Sequence, residues 1–328
     1  MSLVSVRGLT RVFDVSKPWL NRLIERLPKR FLTAVSDVSF EVPERSTYAL
    51  VGESGSGKST IGKMVVGLLT PTEGEIEIEG VNLFTETDAA TVERVRSDIQ
   101  MIFQDPYASL NPRWRVADII AEPVAARGGA IDGLAARLLE QVGLSAEDAT
   151  KFPHQFSGGQ RQRICVARAL ASEPKLIVCD EPTSALDVSV QAQVLNLMSD
   201  LKDEHGLTYL FISHDLTVVR HMADVIGVLY LGRLVEEAPP EALFTKPAHP
   251  YTAMLIDAAP KLDAFGREVT PPEGEIPDPI DPPKGCAFHP RCPLAIDVCR
   301  RERPAMQAFG SGRVACHRAG EVSLESAA

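Results

Sequence analysis

The sequence predicts an α/β fold with a mainly parallel sheet that is covered by helices on both sides. Three short apolar runs, residues 47–51, 175–179 and 207–212, have the composition of strands buried on both faces. Segments with apolar residues at helical spacing follow the first two runs. Strands that alternate with helices along a chain favour a parallel sheet, because each helix returns the chain to the same end of the sheet.

An antiparallel part is predicted after the last of these strands. Residues 225–231 and 234–237 flank Gly232-Arg233, a two-residue connection with glycine first, which is typical of a type II′ hairpin. We expect the core to end just beyond this hairpin. The predicted core domain therefore spans residues 1–245, and a C-terminal extension spans residues 246–328.

Composition narrows the class of protein. With 45% hydrophobic and 24% charged residues, the 328-residue chain has the balance of an ordinary globular protein. Its net charge of −10 argues against nucleic acid as a main partner, since a polyanion needs a basic surface. No apolar run approaches the roughly 20 residues of a spanning helix, and no signal peptide is apparent, so we expect a cytoplasmic location.

Residues 52–60, GESGSGKST, fit the phosphate-binding P-loop pattern G-x-x-x-x-G-K-[ST], with a predicted strand before them and a helix after them. Glycines allow backbone N–H groups to turn inward around phosphate oxygens. Lys58 brings a positive charge to the β and γ phosphates, and the Ser59 hydroxyl can coordinate Mg²⁺. The predicted ATP-binding residues are Gly52, Glu53, Ser54, Gly55, Ser56, Gly57, Lys58, Ser59 and Thr60.

Two acids, Asp180 and Glu181, follow the predicted strand at 175–179. The carboxyl end of a parallel strand is where α/β proteins bind ligands. Asp180 can hold Mg²⁺ through water, and Glu181 can orient or deprotonate an attacking water. Two acids after a strand are more often an exposed turn or a helix cap, but the P-loop upstream favours the catalytic interpretation.

The string FSGGQ, residues 156–160, precedes another helical segment and offers N–H groups and a hydroxyl for a second phosphate contact. Here the chain resembles the ATP-binding-cassette (ABC) ATPases, since Gln104, the acids at 180–181, SALD at 184–187 and His214 stand in that family's order. The resemblance implies a P-loop NTPase core with an antiparallel β part, a helical subdomain at about 105–165 and the mainly parallel sheet.

The resemblance also implies a role for each matching residue. Gln104 would sense Mg²⁺ and water, His214 would contact the γ-phosphate, and Asp187 would couple two subunits. The Mg²⁺ ligands would be Ser59, Gln104 and Asp180. The residues that would cap ATP on the P-loop of a partner subunit are Ser157, Gly158, Gly159 and Gln160.

An aromatic residue before the P-loop stacks on adenine in this family. Phe13 is the candidate, and Phe31 is its competitor across a long insertion. A phenylalanine of the core explains Phe13 equally well.

The chain resembles the dipeptide and oligopeptide importers in three strings, residues 103–112, 230–236 and 247–252. The resemblance covers nearly the whole chain. This implies an ATPase at the cytoplasmic face of the inner membrane that works with two transmembrane permease subunits and, indirectly, an extracytoplasmic solute-binding protein. In this branch two different ATPase subunits pair, and the chain resembles the F-type one, so a heterodimer with a second ABC ATPase is expected. The identity of the transported solute stays open.

Residues 105–116 correspond to the region in which family members receive a short helix from the membrane subunits. Apolar Tyr107, Leu110 and Trp114 could form that groove. A self-packed helical subdomain explains them equally well.

Four cysteines lie in the extension, separated by five, six and sixteen residues, without the C-x-x-C pairs of common zinc modules. Nine prolines between residues 271 and 304 exclude long helices here. The family resemblance implies a [4Fe–4S] cluster on these cysteines. Zn²⁺, with His289 or His317 as a substitute ligand, and unligated thiols or disulfides remain open. The predicted ligands are Cys286, Cys292, Cys299 and Cys316.

Two other functions remain open at this point. The chain could be an ABC ATPase without a transporter, although such proteins usually carry paired cassettes or nucleic-acid contacts. It could also be a metal-binding or redox module with a regulatory ATPase, which only the cysteines favour.

Overall fold

Two β-sheets organise the part of the chain that this computed structural model describes, which is residues 2–26, 28–258 and 274–322. One sheet has eight strands in the order β11-β12-β10-β9-β3-β8-β7-β6, and the other has four in the order β2-β1-β4-β5. The strands are β1 Ser2–Asp14, β2 Phe31–Pro43, β3 Thr47–Val51, β4 Glu73–Ile78, β5 Val81–Asn82, β6 Ile99–Ile102, β7 Leu176–Asp180, β8 Thr208–Ile212, β9 Val225–Tyr230, β10 Arg233–Ala238, β11 Gln307–Phe309 and β12 Gly312–Val314.

Helices lie between the strands of both sheets and in the C-terminal extension. They are α1 Trp19–Glu25, α2 Lys58–Val65, α3 Ala89–Ser97, α4 Pro106–Ser109, α5 Val116–Ala125, α6 Leu134–Gln141, α7 Gly158–Leu170, α8 Val188–His205, α9 Leu216–Met222, α10 Pro240–Thr245, α11 Pro250–Ala258 and α12 Asp297–Arg301, with short 3₁₀ turns at Ala146–Thr150, Pro153–Gln155 and His289–Arg291. Among the described residues, no helix has both the length and the apolar character needed to cross a bilayer.

The parallel core of the larger sheet confirms the predicted fold class. From β9 to β6 each strand runs parallel to its neighbour. Every residue of β3, β7 and β8 is buried, because α7, α8 and α9 pack on one face of the sheet, while α2 and the four-stranded sheet pack on the other. The predicted helical cover on both faces is therefore shared, on one face, with the second sheet. The three predicted strands are correct to within one residue at each end.

The hairpin between β9 and β10 differs from the prediction. Tyr230 pairs with Arg233, so the two turn residues are Leu231 and Gly232. Their φ angles are 44° and 76°, and positive values at both positions define a type I′ turn. The predicted type II′ turn at Gly232-Arg233 is therefore wrong, since Arg233 already belongs to the strand.

The turn is fixed by contacts with the core. Gly232 N–H donates to the carbonyl of Ser56, 2.9 Å away, and the Gly232 carbonyl accepts from the N–H of Ser36 at 2.8 Å. A β-carbon on Gly232 would lie 2.7 Å from the Ala34 carbonyl oxygen, so glycine is required there. These bonds hold the turn against strand β2 and against the loop that follows β3.

A layer of helices lies between β6 and β7 in the chain. Helices α5, α6 and α7 pack on one another there through buried apolar residues such as Ile119, Leu139 and Ile164. This region contains the predicted helical subdomain, although its limits at about 105 and 165 stay a prediction.

The C-terminal extension is built from short elements, as its prolines predict. Its last hairpin, β11 and β12, joins the edge of the larger sheet, because β12 pairs antiparallel with β10. The first prolines of the run, Pro271 and Pro272, and the last residues of the predicted extension, 323–328, lie outside the described residues. The domain division at residue 245 stays a prediction.

Candidate active site

The loop of residues 52–57 connects strand β3 to helix α2 at the carboxyl end of the parallel sheet. Gly52 has a φ of 149°, and a β-carbon there would lie 2.1 Å from the Leu229 carbonyl oxygen, which restricts the position to glycine. Gly57 caps α2 with a φ of 101° and no side-chain hydrogen bond. The first N–H groups of the helix, together with its dipole, therefore form a suitable site for an anion.

Lys58 lies over this loop. Its Nζ donates to the carbonyl oxygens of Gly52 at 2.7 Å and Glu53 at 3.0 Å, and the residue is 5% exposed. Burial lowers the pKa of Lys58, while the nearby carboxylates of Glu181, Asp180 and Glu53 oppose that shift. The lysine thus supplies positive charge at a fixed place beside the helix terminus.

Ser59 and Asp180 join the loop to strand β7. Ser59 Oγ donates to Asp180 Oδ1 at 2.8 Å. Burial raises the pKa of Asp180, and the hydrogen bond from Ser59 counteracts that shift. A hydroxyl and a carboxylate in contact are hard oxygen donors of the kind that Mg²⁺ prefers, so the residues present fit this ion.

Glu181 holds its carboxylate between two other predicted residues. Gln104 Nε2 donates to Glu181 Oε2 at 3.0 Å, and His214 Nδ1 lies 3.1 Å from Glu181 Oε1. Glu181 has a φ of 48°, in the left-handed region that non-glycine residues seldom occupy and that is found often at functional sites. Three residues from distant parts of the chain therefore meet at one carboxylate.

One cavity collects most of the predicted site. The loop of residues 52–60, Gln104, Glu181 and His214 all line it. Phe13 lines the same cavity, with the guanidinium carbon of Arg11 4.7 Å from the centre of its ring. Its competitor Phe31 is 48% exposed and does not line the cavity.

The Ser157–Gln160 loop and Asp187 are not part of this cavity. Ser157 Oγ accepts from the N–H of Gln160, and the Gln160 side chain accepts from the N–H of Ser157, so the two residues form a capping box at the start of α7. Asp187 stands at the N-cap position of α8 without a side-chain hydrogen bond to the helix, and it is exposed. Ser157 is also exposed, and both residues are accessible to another molecule.

Two residues of the extension contact the loop and were missed by the sequence analysis. Tyr251 Oη accepts a hydrogen bond from the N–H of Glu53 at 2.9 Å, and Arg291 forms a bidentate ion pair with the Glu53 carboxylate. Tyr251 was singled out only as part of a family string, and Arg291 carried no signal in the sequence.

The four cysteines of the extension line one cavity, together with Phe288 and the side chains of three histidines. All four are free thiols. Burial raises the pKa of the Cys286 and Cys292 thiols, and that of Cys316 to about 11. Within the described ranges, no group of three or more His, Cys, Asp or Glu residues is arranged to hold a single metal ion.

The predicted groove for a membrane subunit is only partly exposed. Tyr107 is 62% exposed and Trp114 is 41% exposed, whereas Leu110 is 2% exposed and belongs to the core. Assigning Leu110 to a surface groove is therefore wrong, because its side chain packs inward.

Comparisons with known proteins show the family of the chain. Residues 35–184 match the family described as ABC transporter, and residues 235–299 match the one described as Oligopeptide/dipeptide transporter, C-terminal region. The oligopeptide transport ATP-binding protein AppF of Bacillus subtilis is 48% identical over 328 residues, covering 96% of this chain and 97% of AppF. The dipeptide transport ATP-binding protein DppF of Haemophilus influenzae is 46% identical over 324 residues, covering 96% of both chains.

A solved structure is similar as well. The dimeric ATP-binding cassette MJ0796, in a post-hydrolysis state bound to ADP and Pi, has a TM-score of 0.62 and 28% identity, covering 72% of this chain and 98% of that one. The chain is 46 to 48% identical to DppF and AppF over nearly its full length, and it matches two family models. It therefore belongs to the ATP-binding subunits of ABC transporters, in the group with the oligopeptide/dipeptide transporter C-terminal region.

Proposed function

We propose that this chain binds Mg²⁺–ATP on the loop of residues 52–60 and hydrolyses it in a dimer of cassettes that drives import of dipeptides, oligopeptides or related solutes. The observation that carries the proposal is the Glu181 carboxylate, held by Gln104 and His214 beside Lys58. Relatives named as dipeptide and oligopeptide transport ATP-binding proteins support the class of solute.

Hydrolysis needs charge stabilisation and a positioned water more than covalent chemistry. The N–H groups of the loop and Lys58 would bind the phosphates. Ser59, Asp180 and Gln104 would hold Mg²⁺, which supplies charge neutralisation when bound. Glu181 would accept a hydrogen bond from the attacking water and orient it, and His214 would contact the γ-phosphate. Phe13, which lines the same cavity, would stack on adenine.

A partner cassette would complete the site. Ser157, Gln160 and Asp187 are exposed and lie outside the cavity of their own chain, which supports a role at the partner's nucleotide. The similar cassette MJ0796 is dimeric with ADP and Pi bound, which supports assembly in pairs. We infer that the partner is a second, different ABC ATPase subunit, so that the pair is a heterodimer.

The remaining partners would be two transmembrane permease subunits and, through them, an extracytoplasmic solute-binding protein. The exposed aromatic rings of Tyr107 and Trp114, three and ten residues after Gln104 in the chain, offer a surface for a short helix of a permease subunit. The chain would then lie peripherally at the cytoplasmic face of the inner membrane.

We infer further that Cys286, Cys292, Cys299 and Cys316 hold a [4Fe–4S] cluster. Four free thiols line one cavity with Phe288, and four cysteine thiolates are the usual ligand set of such clusters. In addition, the N–H of Arg318 points to Cys316 Sγ at 3.4 Å, as occurs around cluster sulfurs. A cluster would supply ligand bonds that join the parts of the extension.

The shared site can be tested in the assembled transporter with Ser157→Arg. The isolated variant should bind ADP as the wild type does, because Ser157 is not in its own cavity, whereas the assembled transporter should lose ATP hydrolysis. Ser145→Arg is the matched control, since Ser145 is likewise an exposed N-cap serine in a capping box, at the start of the 3₁₀ turn Ala146–Thr150. Normal hydrolysis by the Ser157→Arg transporter would contradict the two-chain site.

A further inference from the structure

Glu53, the second residue of the loop of residues 52–60, is held at each of its polar groups. Its N–H donates to Tyr251 Oη at 2.9 Å. Its carbonyl accepts from Lys58 Nζ at 3.0 Å. Its carboxylate accepts two hydrogen bonds from Arg291, Nη1 to Oε2 at 2.8 Å and Nη2 to Oε1 at 3.0 Å. The carbonyl also accepts from the N–H of Ser56 at 3.2 Å, so five hydrogen bonds fix one residue of a loop whose glycines would otherwise leave it free to move.

Both outer partners come from the extension. Tyr251 lies in α11, and Arg291 ends the 3₁₀ turn between Cys286 and Cys292. The Arg291 side chain is 3% exposed. A bidentate guanidinium–carboxylate pair so shielded from water keeps a defined geometry, unlike the exposed ion pairs elsewhere on the chain.

Three buried aromatic rings set the positions of these partners. The ring centres of Tyr230, Tyr251 and Phe288 lie 4.6 to 5.4 Å apart, and each residue is at most 1% exposed. Tyr230 ends β9, the strand beside β3, while Phe288 lies two residues from Cys286. The guanidinium carbon of Arg291 is 5.9 Å from the Phe288 ring centre, so the arginine packs on the same cluster.

We propose that Arg291 and Tyr251 are positioning residues for the phosphate site. By fixing Glu53, they fix one of the two carbonyls that hold Lys58, and they keep the loop in the conformation that receives phosphate. A loop that is ordered before the nucleotide arrives avoids the entropic cost of ordering on binding. This inference rests on nucleotide binding at the loop, as proposed above, and it makes the extension a determinant of nucleotide affinity.

The chain offers a matched control pair. Arg313, on β12, forms the same kind of bidentate pair with Glu237, on β10, at 2.9 and 3.0 Å. It too joins the extension to the core, but it does not contact the loop. Loss of the Arg313 pair should loosen the extension without moving Glu53.

The test measures binding of a fluorescent ADP analogue, with Mg²⁺, to the full chain and its variants. Arg291→Gln should weaken binding about ten-fold, which corresponds to the loss of one or two charged hydrogen bonds. Arg291→Lys should recover part of that loss, and Arg313→Gln should bind as the wild type does even where its melting temperature falls. The double variant Arg291→Gln with Glu53→Gln should lose no more affinity for the ADP analogue than the weaker-binding of the two single variants. In the assembled transporter, Arg291→Gln should raise KM for ATP and leave kcat nearly unchanged.

The outcomes separate this inference from the proposed function. A wild-type chain that binds no ADP would overturn the proposed function itself. With a wild type that binds, equal affinity of Arg291→Gln would overturn the positioning role. An equal loss in Arg313→Gln would also overturn it, because any loosening of the extension would then suffice.

Discussion

Ser59 and Asp180 are joined by a hydrogen bond of 2.8 Å between the start of α2 and the end of β7. The bond connects the residue that follows the P-loop lysine to the acid that precedes Glu181. Because burial raises the pKa of Asp180, the carboxylate is best stabilised when a cation is bound beside it. The pair thus marks the place at which Mg²⁺ would link the loop and the sheet.

Asp180→Asn tests this place. The amide can keep the hydrogen bond to Ser59 but lacks the negative charge, so we expect the rate of ATP hydrolysis to fall by about 100-fold or more. A higher Mg²⁺ concentration should restore part of the lost rate. Binding of ADP without Mg²⁺, measured by fluorescence titration, should be unchanged. A variant whose hydrolysis has the Mg²⁺ dependence of the wild type would rule out Asp180 as a ligand.

Glu181→Gln should separate binding from turnover. The glutamine keeps the size of the side chain and its contacts with Gln104 and His214, but it cannot act as a base. We expect ATP to bind as before, hydrolysis to fall by about 1,000-fold or more, and the closed dimer to accumulate. Turnover assays with size-exclusion chromatography in ATP check this, and wild-type turnover would exclude Glu181 as the base.

Lys58→Ala should remove nucleotide binding. The variant deletes the only side-chain cation in hydrogen-bond contact with the Gly52 and Glu53 carbonyls in the described part of the chain. We expect ATP affinity to fall by about 100-fold, as measured by equilibrium binding. Lys175→Ala is the control, since Lys175 forms surface ion pairs with Glu79 and Asp98 instead. Equal affinities for the two variants would contradict the assignment.

His249 should make stability depend on pH. The residue is 1% exposed, and burial lowers its pKa from 6.5 to about 3. Below pH 6.5 the unfolded chain takes up a proton at His249 that the folded chain does not. The free energy of unfolding should therefore decrease as the pH is lowered from 6.5 towards 3, by at most about 1.4 kcal/mol per pH unit.

His249→Asn is the comparison, because asparagine can still accept the hydrogen bond that His249 Nδ1 receives from the N–H of Tyr251. Its urea unfolding curves should show a shallower loss of stability between pH 6 and 4 than those of the wild type. Glu236 accepts hydrogen bonds from the N–H groups of Ala248 and His249, and burial raises its pKa. Its contribution to stability therefore increases as the pH is lowered, which is opposite to that of His249, and it is the same in both proteins. Parallel pH profiles of the two proteins would contradict the prediction.

The cysteine site should give a spectroscopic signal. The chain purified without oxygen should absorb at about 400 nm if it holds an iron–sulfur cluster, and Cys292→Ser should lose most of that absorption. Cys165→Ser is the matched control, because Cys165 is buried in α7, away from the cavity of the four cysteines. A colourless wild type that contains stoichiometric zinc would favour the alternative metal, and one with no metal would exclude both.

The sequence was informative wherever local pattern alone decides the structure. Strands β3, β7 and β8 were predicted closely because sheet strands buried on both faces must be continuously apolar. The cavity of Lys58, Gln104, Glu181 and His214 was anticipated because each residue follows a strand end or belongs to a recognisable motif.

Features that depend on tertiary contacts could not be predicted in this way. Leu231 takes a left-handed conformation that its residue type disfavours, because the bonds of Gly232 to Ser36 and Ser56 fix the turn. The contact of Arg291 with Glu53 spans 238 residues of chain, and no spacing rule connects two residues so far apart.

The pairing of β12 with β10 has a consequence for solubility. Without the extension, β10 would be the last strand of the eight-stranded sheet and would present its backbone N–H and C=O groups to other molecules. A long uncovered edge of this kind recruits strands from neighbouring chains and promotes aggregation. The three-residue strand β11 now forms that border, and so short a border offers little to recruit. The extension thereby protects the core from self-association.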